Sequence, residues 1–418
     1  MIAAAIFNKT AHCRSLCDFL FFKGLNYFLL EPSVLSKSNA CEGDNKRKRK
    51  RENVSGQNET EHRLIQLPLN CDALQRVPFF DLLILVTNYT FFSILVYIIS
   101  DVYCLLFPES KEINTSTIWI SGAFILQIHI LTKISVQKVA SRELFVDERN
   151  TLLCASALFF LIAFTFCAFS DKIVDLDFGR GYEQFFVSLS HYLLSSGFGH
   201  IDSNAHSPIM FMVSISLLYS VVASAMFFPV LQYSSLYMDS DKCGAAIRFL
   251  LHVTFLAPLG IVLLYLRPMV EHLTENEYFT YAQLRMVRFV AVFFWAILRL
   301  STTKVILRTF LNQPKDKISE YARDRLNEEN CQRKVAHFAS YACVTSLQYV
   351  LPVFITLSAT LLLRSLDRFA HGETEHQTIL NVILSHEVQE PLWKFASIML
   401  LSTQFLVGVV GIVGKRTF

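Results

Sequence analysis

The sequence predicts an all-α, polytopic transmembrane helix bundle of about eight spans, with both termini in the cytoplasm. Three observations predict it. Hydrophobic residues make up 53% of the 418-residue chain and charged residues only 17%, well under the ~25% of an ordinary soluble protein. The apolar surplus is concentrated in long uncharged runs. Lys and Arg alternate in density along the linkers between those runs.

Crossing ~30 Å of hydrocarbon takes about 20 apolar residues as a helix. Runs of that kind lie at about 82–107, 115–135, 152–170, 208–232, 249–266, 286–307, 336–363 and 392–413. The linker 133–149 carries Lys133, Lys138, Arg142 and Arg149. The linker 304–334 carries eight bases from Lys304 to Lys334, and the tail ends Lys415-Arg416. The alternate linkers are poor in base: Lys111 alone in 108–114, Lys172 and Arg180 in 171–207, and Arg368 alone in 365–391. The positive-inside rule then puts the basic linkers and both ends in the cytoplasm. All ten cysteines fall in spans or on that inner side, so no disulfide framework is expected. Asn114 opens an Asn-Thr-Ser sequon in an outer linker and is the candidate N-glycosylation site.

Three regions follow: an amino-terminal cytoplasmic or interfacial segment 1–78, the bundle 79–413, and a short tail 414–418. Met1–Phe7 is apolar but lacks the basic region of a signal peptide. Ser15–Leu30 is apolar yet interrupted by Asp18, Lys23 and Gly24, which reads as an interfacial helix or a hairpin on the membrane. Residues 46–51, KRKRKR, sit in a polar stretch and read as a juxtamembrane contact with anionic lipid. The net charge of +3 gives no reason to expect a nucleic-acid partner. Residues 312–334 carry Ile318, Tyr321 and Leu326 at helical spacing within a charged stretch, as in a solvated helix on the inner face.

The stretch HYLLSSGFGHIDS (191–203) raises the question of a potassium filter, because it follows a short apolar-spaced run and precedes a span. Such a filter needs stacked carbonyls held by apolar packing and an acid after the second glycine. Here Ser196 and His200 stand at the wrong places. The stretch reads as an outer loop leading into a helix that begins near Pro208.

Charges within spans usually face a bundle interior. Arg299 lies midway between Arg288 and Arg308, the bases that mark its helix ends. Pro258 and Pro352 sit at comparable depth in the fifth and seventh spans, and each frees a backbone carbonyl one turn back. Gln348, four residues before Pro352, lies on nearly the same face. These residues form a candidate polar cluster in which the freed carbonyls and Gln348 hold Arg299, as broken helices hold charge in transporters. His252, near the inner end of the fifth span, joins the list as a hydrogen-bonding residue. Asp101 and Asp239, at span ends, are expected to pair with a nearby base. Seven histidines (191, 200, 206, 272, 371, 376 and 386) fall on the outer side without i,i+4 spacing, so no metal or cofactor is assigned. No phosphate loop, nucleophile elbow or metalloprotease motif is present. The expectation is a protein without enzymatic activity.

Several strings have a specific likeness: LLHVTFLAPLGIVLLYLRPMV at 250–270, ILRLSTTKVILRTFLNQ at 297–313 and VAHFASYACVTSLQYVLPVFITLSATLLLRSLD at 335–367. With VYIISDVYCLLFPESKEIN at 96–114 and Glu148-Arg149 opening the third span, the chain resembles the transmembrane protein 161 family over about residues 80–413. The resemblance implies a multi-pass membrane protein that shapes cation (potassium or calcium) currents and excitability, with ion-channel subunits as partners and a link to stress protection. An acid early in the family's first long span aligns here with Asn88, which removes a charge.

Overall fold

In the computed structural model the described residues are 14–30, 64–69, 74–75, 77–107, 116–140, 146–174, 176, 178–195, 197, 208–240, 244–276, 278–323, 328–369 and 386–417. Asn114 and the 46–51 basic run lie outside them.

The long helices are α2 (Phe80–Leu106), α3 (Ser116–Ala140), α4 (Val146–Ile173), α6 (Ile209–Asp239), α7 (Ala245–Leu263), the consecutive pair α9 (Tyr281–Ser301) and α10 (Thr303–Arg323), α11 (Glu328–Phe369) and α12 (His386–Thr417). Among them are eight segments long and apolar enough to cross a bilayer, with α9 and α10 together making one of 38 residues, Tyr281–Ile318. The chain is an all-α, polytopic membrane bundle. Two further helices lie between spans: α5 (Phe178–Ser195) and the short α8 (Arg267–Glu275), which opens with Pro268 in its first turn, a position where the missing N–H costs nothing.

α11 is the centre of the bundle. Its apolar window is wholly buried, whereas that of α4 is only 17% buried and faces outward. α2, α3, α6, α9, α10 and α12 all pack on α11. The sequence of α11 explains its place, because Ala342, Ser346, Thr356, Ser358, Ala359 and Thr360 are small or hydroxylated and fully or nearly buried. Small side chains let backbones approach, and hydroxyls bond across helices, where lipid offers no hydrophobic driving force. Ser358 donates to Gln127 Oε1 (3.1 Å), and Gln127 Nε2 donates to Thr90 (2.8 Å), which joins α11, α3 and α2. Gln404 of α12 donates to Thr356 (2.9 Å), and Gln232 of α6 donates to Thr345 (3.2 Å). A Cβ at Gly411 would stand 2.8 Å from Ser234 Cβ, so α12 needs glycine there to seat on α6.

The amino-terminal segment differs from the interfacial helix or hairpin expected for 15–30. A short helix α1 (Arg14–Cys17) runs into one π-helical turn (Asp18–Phe22), and then strand β1 (Asn26–Leu30) pairs antiparallel with β2 (Leu64–Pro68). Gly24 makes the turn from the π-helical segment into β1 with φ of +86°, a conformation that costs glycine nothing. The ribbon docks on α10 and α11. Leu30 and Leu64 pack with Ile318, Cys331 and Val335. Ile318 is therefore a contact residue on a helix that was expected to be solvated. The strands escaped the sequence reading because β1 meets a partner more than thirty residues away, and no local periodicity announces that.

The end of the bundle that carries the carboxy terminus is tied by Lys415 Nζ to Asp239 at 2.6 Å and to the Ser235 carbonyl at 3.0 Å, with Gln313 donating to Asp239 at 3.2 Å. Asp239 thus finds its base. In the filter-like stretch α5 ends at Ser195 and Gly197 takes φ of +81°. Ser196 and the residues from Phe198 to His206 lie outside the described residues.

Candidate functional site

Arg299 is 5% exposed in the last turn of α9, at the centre of the 38-residue run. The helix pattern lapses at Thr302, one residue before α10 begins. Sequence reasoning looked for interruptions at Pro258 and Pro352. Both prolines instead lie inside continuous helices, α7 and α11, and the interruption falls in the sixth span, where the chain reads RLSTTK. Ser and Thr compete for backbone partners in that run. The hydroxyls of Thr302 and Tyr349 stand 2.8 and 3.0 Å from the Arg299 carbonyl and 2.8 Å from each other.

The guanidinium lies over two aromatic faces. Its carbon is 3.4 Å from the ring centroid of Tyr233 on α6 and 4.7 Å from that of Tyr349 on α11. The two rings are 4% and 3% exposed, and their centroids are 5.6 Å apart. A desolvated cation–π contact contributes about 2 kcal/mol. Two of them therefore offset the ~2.5–3.5 kcal/mol that an arginine costs near the bilayer centre. Arginine suits this site better than lysine, because a flat, weakly hydrated guanidinium can lie on a ring face.

The expected partners are placed differently. The carbonyl freed by Pro258 is that of Thr254, and it accepts from Trp295 Nε1 at 3.1 Å rather than from Arg299. Gln348 is buried (6%) beside Tyr349, yet no hydrogen bond joins it to Arg299 among the described residues. The Pro352 carbonyl accepts from Thr356 (2.8 Å) and Gln404 (3.4 Å). His252 is exposed on α7, and its Nδ1 is hydrogen-bonded to the Tyr237 hydroxyl. Tyr237 lies one turn beyond Tyr233 and stacks on Phe255 at 5.0 Å and 19°. The two predicted polar residues, Arg299 and His252, are thus linked through a tyrosine ladder on α6. Sequence reasoning missed that ladder. Its only signal was Tyr at i and i+4 in LQYSSLYMD, which marks a shared helix face without saying what the face meets.

A second group of charges lies toward the other end of the bundle. Arg285 and Arg288 of α9, Arg364 of α11, and Glu390 and Lys394 of α12 line a recess of about 360 Å³, open solvent included, with Tyr265 and Phe289. Burial pushes the Tyr265 hydroxyl above its ordinary pKa, and the nearby Arg288 and Lys394 pull it back. Among the described residues no three His, Cys, Asp or Glu side chains are grouped as a metal site requires. Of the outer histidines, 191, 272 and 386 lie on α5, α8 and α12, and 200, 206, 371 and 376 lie outside the described residues.

No solved structure matches the chain. The family model described as predicted transmembrane protein 161AB matches residues 1–413. That match spans nearly the whole chain, and the eight apolar spans are those of an integral, multi-pass membrane protein. The chain belongs to the transmembrane protein 161 family.

Proposed function

We propose that this protein is a non-enzymatic, non-conducting regulator of cation currents and membrane excitability, acting on potassium or calcium channel subunits or on their trafficking, with a stress-protection role alongside. The regulatory part rests on the family resemblance. The non-conducting part rests on one observation: the two ring faces of Tyr233 and Tyr349 lie against Arg299, where a substrate would have to bind. The hydrogen bonds of Gln127, Ser358 and Gln404 join hydroxyl and amide groups across helices, which suits helix cohesion rather than proton transfer. Both termini and the 304–334 linker lie in the cytoplasm in this reading, and the 46–51 run contacts anionic lipid there.

Reconstitution of the purified chain in liposomes tests it. Cation and anion flux is expected at the level of empty vesicles, while co-expression with a channel changes current amplitude or surface density. Flux that disappears with Arg299→Leu would establish the second reading, a carrier or channel in its own right with a midplane site around Arg299. One observation favours that reading: the helix lapses at Thr302 beside the buried charge, as helices do at carrier midplane sites.

A further inference from the structure

We infer that the recess between α9, α11 and α12 is a binding site for an anionic phosphate group. Among the described residues four bases and one acid line it. The acid is already engaged, because Glu390 holds Lys394 at 2.9 Å. Arg288 is 3% exposed and anchored from behind: its Nε donates to the Leu264 carbonyl at 3.1 Å, and its guanidinium carbon is 4.5 Å from the Tyr265 ring centroid. Its Nη2 is buried and has no hydrogen-bond partner among the described residues. Arg364 stands across the recess, with its guanidinium carbon 5.5 Å from the Phe289 centroid. Arginine cannot shed its proton to relieve this crowding. Like charges held in a poorly solvated site repel strongly, and an anion that accepts from several guanidinium N–H groups at once relieves both the repulsion and the unpaired donor.

The depth of the site favours phosphate. Arg288 precedes Arg299 by eleven residues, about 16 Å along a helix. With Arg299 at the midplane, that is the edge of a ~30 Å hydrocarbon layer, where lipid phosphates lie. Beside the recess, Val287, Val290, Phe294 and Ile297 are exposed as one stripe of α9, which offers an acyl chain a place to lie. A free phosphate has the same headgroup chemistry, so the test separates the two.

The full chain is purified in a neutral detergent, and its thermal midpoint is followed with added phosphatidylcholine, with phosphatidylcholine plus phosphatidylglycerol, and with inorganic phosphate against chloride at equal ionic strength. A rise of a few degrees with phosphatidylglycerol alone identifies a lipid headgroup, and a rise with inorganic phosphate as well identifies a free anion. The rise is expected to vanish in Arg364→Gln, to be larger in Glu390→Gln, and to persist when the bases at 46–51 are replaced by Gln. Arg364 is only half-buried, so its variant tests the site even if Arg288→Gln fails to fold. No rise in any condition, or an equal rise in Arg364→Gln, overturns the inference.

Discussion

If Tyr349 stabilises Arg299, the cost of losing Tyr349 depends on whether Arg299 is there. The hydroxyl and the ring of Tyr349 do different things. The hydroxyl is 3.0 Å from the Arg299 carbonyl, and its removal in Tyr349→Phe costs about 1 kcal/mol. The ring covers the guanidinium at 4.7 Å, and its removal in Tyr349→Leu costs about 2 kcal/mol more, because a buried cation loses one of its faces. With Arg299→Leu in place that second cost is gone. The coupling between the two positions is then about 2 kcal/mol, or roughly thirtyfold in the folded-to-unfolded ratio.

Arg299→Leu alone is expected to be mild. It forfeits about 4 kcal/mol of contact with two rings and recovers ~2.5–3.5 kcal/mol of insertion cost, a net loss near 1 kcal/mol. The double-mutant cycle is measured by titrating dodecyl sulfate into the purified chain in mixed micelles. Tryptophan emission reports unfolding, since Trp295 lies one turn before Arg299 and is hydrogen-bonded to the Thr254 carbonyl. Equal cost of Tyr349→Leu in both backgrounds would refute the caging of the cation. The Tyr233→Leu cycle is expected to give at least as large a coupling, because that ring is nearer.

Other consequences are measured in the same way. Gly411→Val drives a side chain into Ser234 and Leu231 of α6 and is expected to cost about 1–3 kcal/mol, while Gly414→Ala, with nothing within 4 Å, leaves the midpoint unchanged. Gln127→Leu severs the link between Thr90 and Ser358 and costs about 1–2 kcal/mol at membrane hydrogen-bond strengths. Lys415→Ala breaks an ion pair whose partners are more than a third exposed and changes stability by under about 1 kcal/mol. The raised pKa of Tyr265 gives a pH dependence of definite sign. Above the ordinary tyrosine value the unfolded chain releases this proton and the folded chain keeps it, so stability falls as pH rises there. Tyr265→Phe is expected to flatten that fall.

The spans were legible because each is a long uncharged run, and bilayer thickness alone fixes what such a run must do. The central place of α11 was less so. Its charged first turns gave no hint that everything from Tyr349 to Leu362 would be buried, and only the density of Ser, Thr and Ala inside an apolar run pointed that way. Arg299 was legible for the opposite reason: a cation midway along an apolar span has few tolerable surroundings. Its partners were not. Proline was weighed as the source of a free acceptor, yet a freed carbonyl attracts any nearby donor, and the Thr254 carbonyl took the Trp295 indole.

The phosphate-type recess shows where a reading along one chain runs out. Arg288 served as the marker of a helix end, because a base near the edge of a span most often snorkels to the headgroups. Whether it does so depends on what its neighbours bring to the same edge, and here those are Arg364 and Lys394, 76 and 106 residues further on. Arg288 cannot reach outward, since its Nε is fixed to the Leu264 carbonyl behind it. A base at a span end with free water around it needs no partner. One that is 3% exposed, beside three more bases, calls for a counter-charge, and the one acid among the described residues that line the recess is Glu390, which holds Lys394. In the proposed site the balancing negative charge is an anion from outside the polypeptide. At this depth the membrane holds phosphate in abundance, and so the recess is better understood as part of the contact between protein and bilayer than as a defect in packing.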